Sequence, residues 1–373
     1  MLATDGNLYG AATNGGAVGY GVLYRVTTSG TYTALHDFQG SDGGFPIGAP
    51  IEASDGNLYG ATFGDQVNNF GTVYKYSRDG TFSNILSFSV DGSKGAAIYA
   101  PLIQANDGSL YGTSTEGGVN GCGTIFKLTT SGILLHVYSF PCGSGGSRPV
   151  GPIMQASDGN FYGTTAWGGI TTGYRCQSSG CGTIFRMTQS GSITVLYEFE
   201  GGQTDGHGAI AGLVEGTDGN LYGSTYAGGG HAWGTFFQVT LGGIYTFLYS
   251  LPNSIGEEPS STLLQHTSGV FYGTASWGGW YGRGAVYSFD MGLAPFITFV
   301  RPTGKVGQTI QILGQGLTGA SSVSVNGVAA ITFNVVSDTY MTAVIPTGAT
   351  TGPVVVTTPI GTRTSNKNFR ITQ

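Results

Sequence analysis

The sequence is poor in charge. Only 9% of its 373 residues are Asp, Glu, Lys or Arg, against roughly a quarter in an average soluble domain. It has no block of Lys or Arg, and its net charge is −6. Binding nucleic acid needs a basic surface to neutralise phosphates, so nucleic acid is excluded as a partner. No run of 18 apolar residues occurs, so no membrane span is expected. The familiar catalytic signatures are missing too. There is no G-x-S-x-G, P-loop, H-E-x-x-H or dinucleotide fingerprint, and neither a cofactor nor a metal is expected. What the sequence does have is glycine, 68 residues of it. The glycines follow no three-residue period, which excludes a collagen-like chain. An aromatic content of 12% argues against disorder.

The glycines fall in a repeat. Asp-Gly-Asn-Leu-Tyr-Gly starts at Asp5 and returns at Asp55, as DGSLYG at Asp107, DGNFYG at Asp158 and DGNLYG at Asp218. A weaker copy, SGVFYG, starts at Ser268, and the intervals are 50, 52, 51, 60 and 50 residues. The longest glycine-free run before residue 294 is 12 residues. A glycine inside a helix costs about 1 kcal/mol relative to alanine, so helix is set aside. Each unit reads as four strands. Strand a resembles Pro101–Ala105, b resembles Leu110–Ser114, c resembles Gly123–Leu128 and d resembles Ile133–Phe140. Asp-Gly makes the a–b hairpin, and a turn such as Thr129–Gly132 makes the c–d hairpin. Six radial repeats of a four-stranded antiparallel sheet predict an all-β, six-bladed β-propeller over residues 1–293. The first unit keeps only Leu2–Thr4 of strand a, and the sixth lacks a clear strand d. Either Phe296–Val300 closes the last blade, or the chain begins inside a longer repeat array.

The DGNLYG copies, the Gly-Gly loops after them, GCGTIFKLT at Gly121–Thr129 and GCGTIFRMT at Gly180–Thr188 resemble the Gloeo/Verruco-type (GloVer) tandem repeat of bacterial surface and secreted proteins. The resemblance covers about residues 1–292 and implies no particular reaction.

The rhythm changes at Ala294. The last segment has five basic residues (Arg301, Lys305, Arg363, Lys367, Arg370) against Asp338 alone, a charge of +4. The remainder has nine basic against 19 acidic residues, a charge of −10. That contrast places a domain boundary there. Short alternating runs such as Thr309–Gly314 and Pro353–Pro359 predict a small β-sandwich over residues 294–373. Its PTG at Pro302–Gly304, ILGQGL at Ile312–Leu317, VNGVAA at Val325–Ala330 and PTGATTGPVVVTT at Pro346–Thr358 resemble an IPT/TIG immunoglobulin-like domain. That resemblance implies a spacer or interaction module.

Four cysteines are present. Cys176 and Cys181 bracket one short loop, and the c–d hairpin brings Cys122 to Cys142. Bridges Cys122–Cys142 and Cys176–Cys181 are predicted. A zinc site of four thiolates is the rival, but the spacing lacks paired short knuckles. Two bridges imply an oxidising compartment, hence a secreted or cell-surface protein. No signal peptide precedes Asp5, and the chain is read as a mature or trimmed form.

The four-strand path sorts the loops. The a–b and c–d hairpins share one end of the sheets, here the bottom. The b–c loops and d–a crossovers share the other, the top. All four tryptophans (Trp167, Trp233, Trp277, Trp280) fall in top-face b–c loops, with Tyr174, His231, Tyr281 and Arg283. Flat rings with a polar edge suit sugars, so these residues are candidate polysaccharide or oligosaccharide contacts. The alternative is that the rings pack loop against loop. The top-face acids are Asp65, Glu116, Asp42, Asp91, Asp205, Glu257 and Glu258. Glycoside hydrolysis uses two carboxyls, and Glu257 or Glu258 facing Asp205 or Glu116 would supply them. His207 or His231 would serve as the base of a polysaccharide lyase. Lys94 and Arg148 lie in crossovers, where an acidic sugar would meet them. The repeated aspartates (Asp5, Asp55, Asp107, Asp158, Asp218) read as turn formers rather than ligands. The leading expectation is a carbohydrate-binding propeller leaning towards a glycoside hydrolase or lyase. The rival is a non-catalytic adhesion platform with a cell-surface association.

Overall fold

The computed structural model describes residues 1–64, 70–89, 92–172, 176 and 179–372. Apart from one 3-10 turn at Gly143–Gly145, its regular elements are strands. The chain divides into two compact units. One comprises residues 1–214, 221–263 and 273–287, and the other residues 215–220, 264–272 and 288–373.

Among the described residues, six successive antiparallel sheets follow the six repeats. The third is representative. Its strands are Ile103–Gln104, Leu110–Ser114, Thr124–Leu128 and Leu134–Ser139, hydrogen-bonded in that order. Strands b to d match their predicted spans to within one residue at each end. Strand a is shorter than expected, because Pro101 has no N–H to extend the ladder. The first sheet has three strands, Leu8–Ala12, Val22–Val26 and Tyr32–Asp37. The sixth has no strand d. Phe296–Val300 does not provide one, because Thr298 and Phe299 pair with Leu313 and Ile312 in the C-terminal unit.

One close approach explains the recurring Tyr-Gly of strand b. Gly112 lies opposite Phe126 of strand c. A Cβ on Gly112 would collide with the Phe126 ring and come within 2.8 Å of Leu102. Gly60 under Tyr74, Gly163 under Phe185 and Gly223 under Phe237 repeat the arrangement. The aromatic ring covers the bare strand, and the cross-strand pair replaces the missing side chain. Strand b is buried along its whole length in sheets two to five. Apolar side chains then merge neighbouring sheets into shared cores, as in the group Tyr59, Phe88, Ile98, Leu110 and Phe126.

At the bottom each repeated aspartate serves its own turn. Asp158 accepts from the N–H of Asn160 at 2.9 Å, the Asn160 amide at 2.8 Å and the Tyr162 hydroxyl at 2.8 Å. Asp5 and Asp55 bind the same three groups. Tyr59 also donates to the Thr130 carbonyl on the next sheet, at 3.0 Å. A side chain at the end of strand a ties each sheet to its predecessor. Gln104 accepts the N–H of Ser54 at 2.7 Å, and Gln155 that of Asn106 at 2.8 Å.

At the top the crossovers do the tying with backbone. Each carries one residue of left-handed conformation at the same place: Phe45, Ala97, Arg148, Gly208 and Glu258, with φ between 55° and 66°. The Arg148 N–H donates to the Cys122 carbonyl of the third sheet at 3.0 Å. Its carbonyl accepts the Ala166 N–H of the fourth sheet, also at 3.0 Å. Phe45, Ala97 and Gly208 bridge their neighbours in the same way, and Glu258 donates to the Trp233 carbonyl at 3.1 Å.

In the C-terminal unit two four-stranded sheets face each other across one core. Ile310, Ile312 and Met341 from one sheet meet Val323, Val325, Val354 and Val356 from the other. The repeat tips belonging to this unit are bound within it. Thr267 accepts the Phe296 N–H at 3.0 Å and the Gln315 amide at 3.1 Å.

The disulfides join Cys122 to Cys142 and Cys176 to Cys181, with Cα separations of 5.5 and 4.7 Å. All four sulfurs are consumed, which removes the thiolate zinc site. The first bridge closes a separation of 20 residues. Its removal in a Cys122→Ala, Cys142→Ala variant is expected to cost about 3 kcal/mol in urea unfolding. A loss under 1 kcal/mol would show that the c–d hairpin holds without it.

The aspartate turns make a prediction about acid. Burial pushes the Asp55 and Asp158 carboxyls up, but hydrogen bonds from the neighbouring Tyr and Asn outweigh it. Both end below the ordinary value of 3.8. Asp5 and Asp107 are lowered as well. The unfolded chain therefore binds more protons than the folded one in that range. Stability is full above about pH 4 and falls as pH drops through the lowered values. Melting curves from pH 6 to pH 2 should show this. Asp55→Ala, Asp158→Ala should be less stable at pH 6, by about 1 kcal/mol per site, and flatter below pH 4.

Candidate functional site

Backbone pairing sets the top face. The crossover residues Ala96, Ser147, His207 and Glu257 pair with Glu116, Trp167, Ala227 and Trp277 at or just past the end of each b strand. Crossovers and b–c loops therefore share one end of the sheets. Beneath them a buried hydroxyl pair joins strands b and c: Thr62 with Thr72, Ser114 with Thr124, Thr165 with Thr183, Thr225 with Thr235. The crossover lies directly on this pair. A Cβ on Gly146 would come within 2.6 Å of Thr183 Oγ1 and 2.8 Å of Thr165 Oγ1.

The densest group of exposed functional side chains sits where the third and fourth sheets meet. The Arg148 guanidinium lies 4.2 Å from the centre of the Trp167 ring. Its Nη2 donates to Glu116 Oε1 at 3.5 Å. Tyr99, in the preceding crossover, packs against Phe63 with ring centres 4.7 Å apart and the planes tilted by 55°. Its hydroxyl is pushed up by burial and then by the Glu116 charge, with Arg148 acting the other way. Tyr99 and Trp167 remain 46% and 42% exposed. The group thus offers two rings, a planar cation and a carboxylate to solvent on one rigid base. Arg over a Trp face is a favourable cation–π arrangement, and it holds the guanidinium plane over the ring.

A second group lies between the fifth and sixth sheets. Interaction with the nearby Glu258 carboxylate, followed by burial, pushes the Tyr226 phenol up to about 12. Trp233 is next to it through the Glu258 N–H. Glu257 pairs by backbone with Trp277. Trp277 closes a strand, Phe271–Trp277, rather than lying in the loop. Trp280, 93% exposed, stands in the loop itself with Tyr281 and Arg283.

Other candidates are placed differently. Asp205 is buried and its carboxylate is filled. It accepts from Tyr197 at 3.1 Å, Tyr245 at 2.9 Å, the Glu200 N–H at 2.6 Å and the Gly206 N–H at 2.7 Å. Tyr197 and Tyr245 stack at 3.9 Å above it. Burial and the Asp205 charge raise both hydroxyls. Asp42 plays the same part for His36, which stacks on Phe82 at 3.5 Å. His207 is half-buried in the Gly206–His207 strand. His231 is exposed and gives its N–H to Ser250 Oγ at 3.0 Å. Glu116, Asp205 and Glu258 are thus engaged by different partners, at different junctions. Tyr174, Asp65 and Asp91 lie outside the described residues.

Sequence reasoning missed Tyr99 and Phe63. The signal was available in the register of the repeats, where Tyr99 is the one aromatic in a column otherwise holding Ile47, Val150, Ile210 and Ser260. It also named Arg148 only as a crossover charge, without its ring partner.

Similarity to solved structures agrees with this architecture. Virginiamycin B lyase from Staphylococcus aureus, a β-propeller-type enzyme, matches at 14% identity with a TM-score of 0.50, covering 92% of this chain and 93% of that one. A gluconolactonase from Xanthomonas campestris matches at 16% identity and TM-score 0.39, over 80% and 85% of the two chains. At 14% identity the likeness to the lyase is one of fold. No curated protein matches the sequence. A family model described as the Gloeobacter/Verrucomicrobia repeat matches residues 1–174 and 170–319, and the chain belongs to that repeat family.

Proposed function

We propose that this chain is an extracytoplasmic glycan-binding protein. Residues 1–293 act as a six-bladed propeller, and residues 294–373 act as an IPT/TIG-like spacer. The ligand is a polysaccharide or oligosaccharide held on the face of the crossovers and b–c loops. One observation carries the reading: Trp167 lies half-exposed under Arg148, beside Glu116 and near Tyr99. A sugar has C–H faces that suit an indole ring and hydroxyls that suit a carboxylate and a guanidinium. Rigid strands beneath variable loops are the usual setting for such sites. Two disulfides fit an oxidising compartment.

Binding without cleavage is favoured, because Glu116, Asp205 and Glu258 each serve a different partner. A cleaving site has one observation in its favour. Tyr226 is a neutral phenol close to Glu258, a proton donor beside a carboxylate near Trp233 and Trp277.

Trp167→Ala should weaken saccharide binding by about tenfold, roughly 1.4 kcal/mol, at an unchanged melting temperature. Calorimetric titration against a glycan panel measures it. If Trp233→Ala, Trp277→Ala loses binding instead, the site belongs to the fifth and sixth sheets. Unchanged affinity in both variants would sink the reading. Mass spectrometry of the same mixtures should show no new oligosaccharides. Products that vanish in Glu257→Gln, Glu258→Gln would establish cleavage there.

A further inference from the structure

The left-handed crossover residue is where the fold and the ligand site separate. At all five junctions its N–H bonds the preceding sheet, and at four its carbonyl is seen to bond the following one. Gly208 fills the position with no side chain at all, so the tie needs none. Glycine is also the residue that adopts a positive φ without strain. Yet the other positions hold Phe45, Ala97, Arg148 and Glu258, side chains that make the conformation harder to reach. Strain retained where the fold does not require it points to function.

Two of those side chains contact an aromatic on the top face. Phe45 meets Tyr20 edge-on at 5.5 Å, and Arg148 covers Trp167 at 4.2 Å. The backbone is constant while the chemistry differs from junction to junction. Resting on the glycan-binding reading, we infer that this residue is the specificity-determining position of the face, and that Arg148 selects a sugar bearing a carboxylate. A guanidinium has five donors in a flat fork that matches a carboxylate with two parallel bonds. Glu116 takes one donor through a long 3.5 Å contact, and both side chains are about half exposed. Among the described residues no other side chain is bonded to the fork, so its outer edge meets solvent above the Trp167 ring. A uronate packed against the part of Trp167 that Arg148 leaves exposed would present its carboxylate to that edge and a hydroxyl to Glu116. The repeat region otherwise carries excess negative charge, so discrimination in favour of an acidic sugar calls for a local cation, and among the described residues Arg148 is the one set on an exposed ring.

The test uses the full chain and three pairs of tetrasaccharides. Oligomers of galacturonate, mannuronate and glucuronate are each compared with their carboxyl-reduced, neutral forms by calorimetric titration. The wild type should bind at least one acidic form ten times more tightly than its neutral partner. Arg148→Gly should abolish that preference, with a melting temperature unchanged or a few degrees higher because the strained residue is relieved. Arg148→Gln, which keeps the bulk and the strained backbone, should lose the preference as well. Equal binding of acidic and neutral forms by the wild type would overturn this inference and leave glycan binding standing. Binding of none of the six, nor of any glycan in the wider panel, would overturn both. A melting temperature several degrees lower in Arg148→Gly, with the preference intact, would make the residue a structural clamp and also overturn the inference.

Discussion

Neighbouring sheets in the repeat array are held in register by a backbone tie that costs strain. One crossover residue per junction turns left-handed, giving its N–H to one sheet and, at Phe45, Ala97, Arg148 and Gly208, its carbonyl to the next. Backbone groups buried between sheets must be bonded somewhere, and this arrangement satisfies both with a single residue. The glycine two residues earlier, as at Gly146, lets the crossover descend onto the hydroxyl pair of strands b and c. Everything above that layer, including each loop on the top face, takes its position from the tie.

The two ends of the sheets follow different rules as a result. At the bottom the side chains themselves do the binding. Asp158 holds its turn, Tyr162 reaches the Leu241 carbonyl at 3.2 Å, and Gln155 holds the Asn106 N–H. Those identities recur from repeat to repeat because the bonds require them. At the top the backbone does the binding, so side chains are released from structural duty. That is where Tyr99, Glu116 and Arg148 stand, one copy each in its column of the repeat, with Trp167 in a column that holds one other Trp, Trp277. Recurrence marks the scaffold here, and departure from recurrence marks the candidate site.

The bottom face was therefore readable from the sequence and the top face was not. A motif such as DGNLYG states its own hairpin, and the aspartates were correctly set apart as turn formers. Strand c and strand d were legible from their apolar runs, the Cys122–Cys142 bridge from the c–d hairpin it spans, and the Cys176–Cys181 bridge from the short loop it closes. Strand a was overestimated because Pro101 was counted within it. Asp205 looked like a candidate acid because it lies in a top-face crossover. Its burial follows from Tyr197 and Tyr245, which belong to the d strands of two different sheets. Such a partnership spans 40 residues and leaves no local pattern. The Arg148–Trp167 contact is hidden for the same reason, since it depends on which crossover lies over which loop.

The sixth repeat shows what happens when those rules lapse together. Ser268 stands where the aspartate was, and Ala275 and Ala285 replace the buried hydroxyl pair. At the crossover glycine, Gly256, an added Cβ would come within 2.6 Å of the Ala275 methyl group instead of an oxygen. Without the polar pair the layer beneath the crossover has lost a hydrogen bond and gained apolar surface, and the backbone bonds of Glu257 and Glu258 remain. At this end of the sheet Trp277, Trp280 and Tyr281 are all exposed. The two candidate clusters therefore rest on different chemistry. The Arg148 cluster is seated on the Thr165–Thr183 hydroxyl pair, while Trp277 stands above the methyl groups of Ala275 and Ala285, which hold the same columns of the repeat.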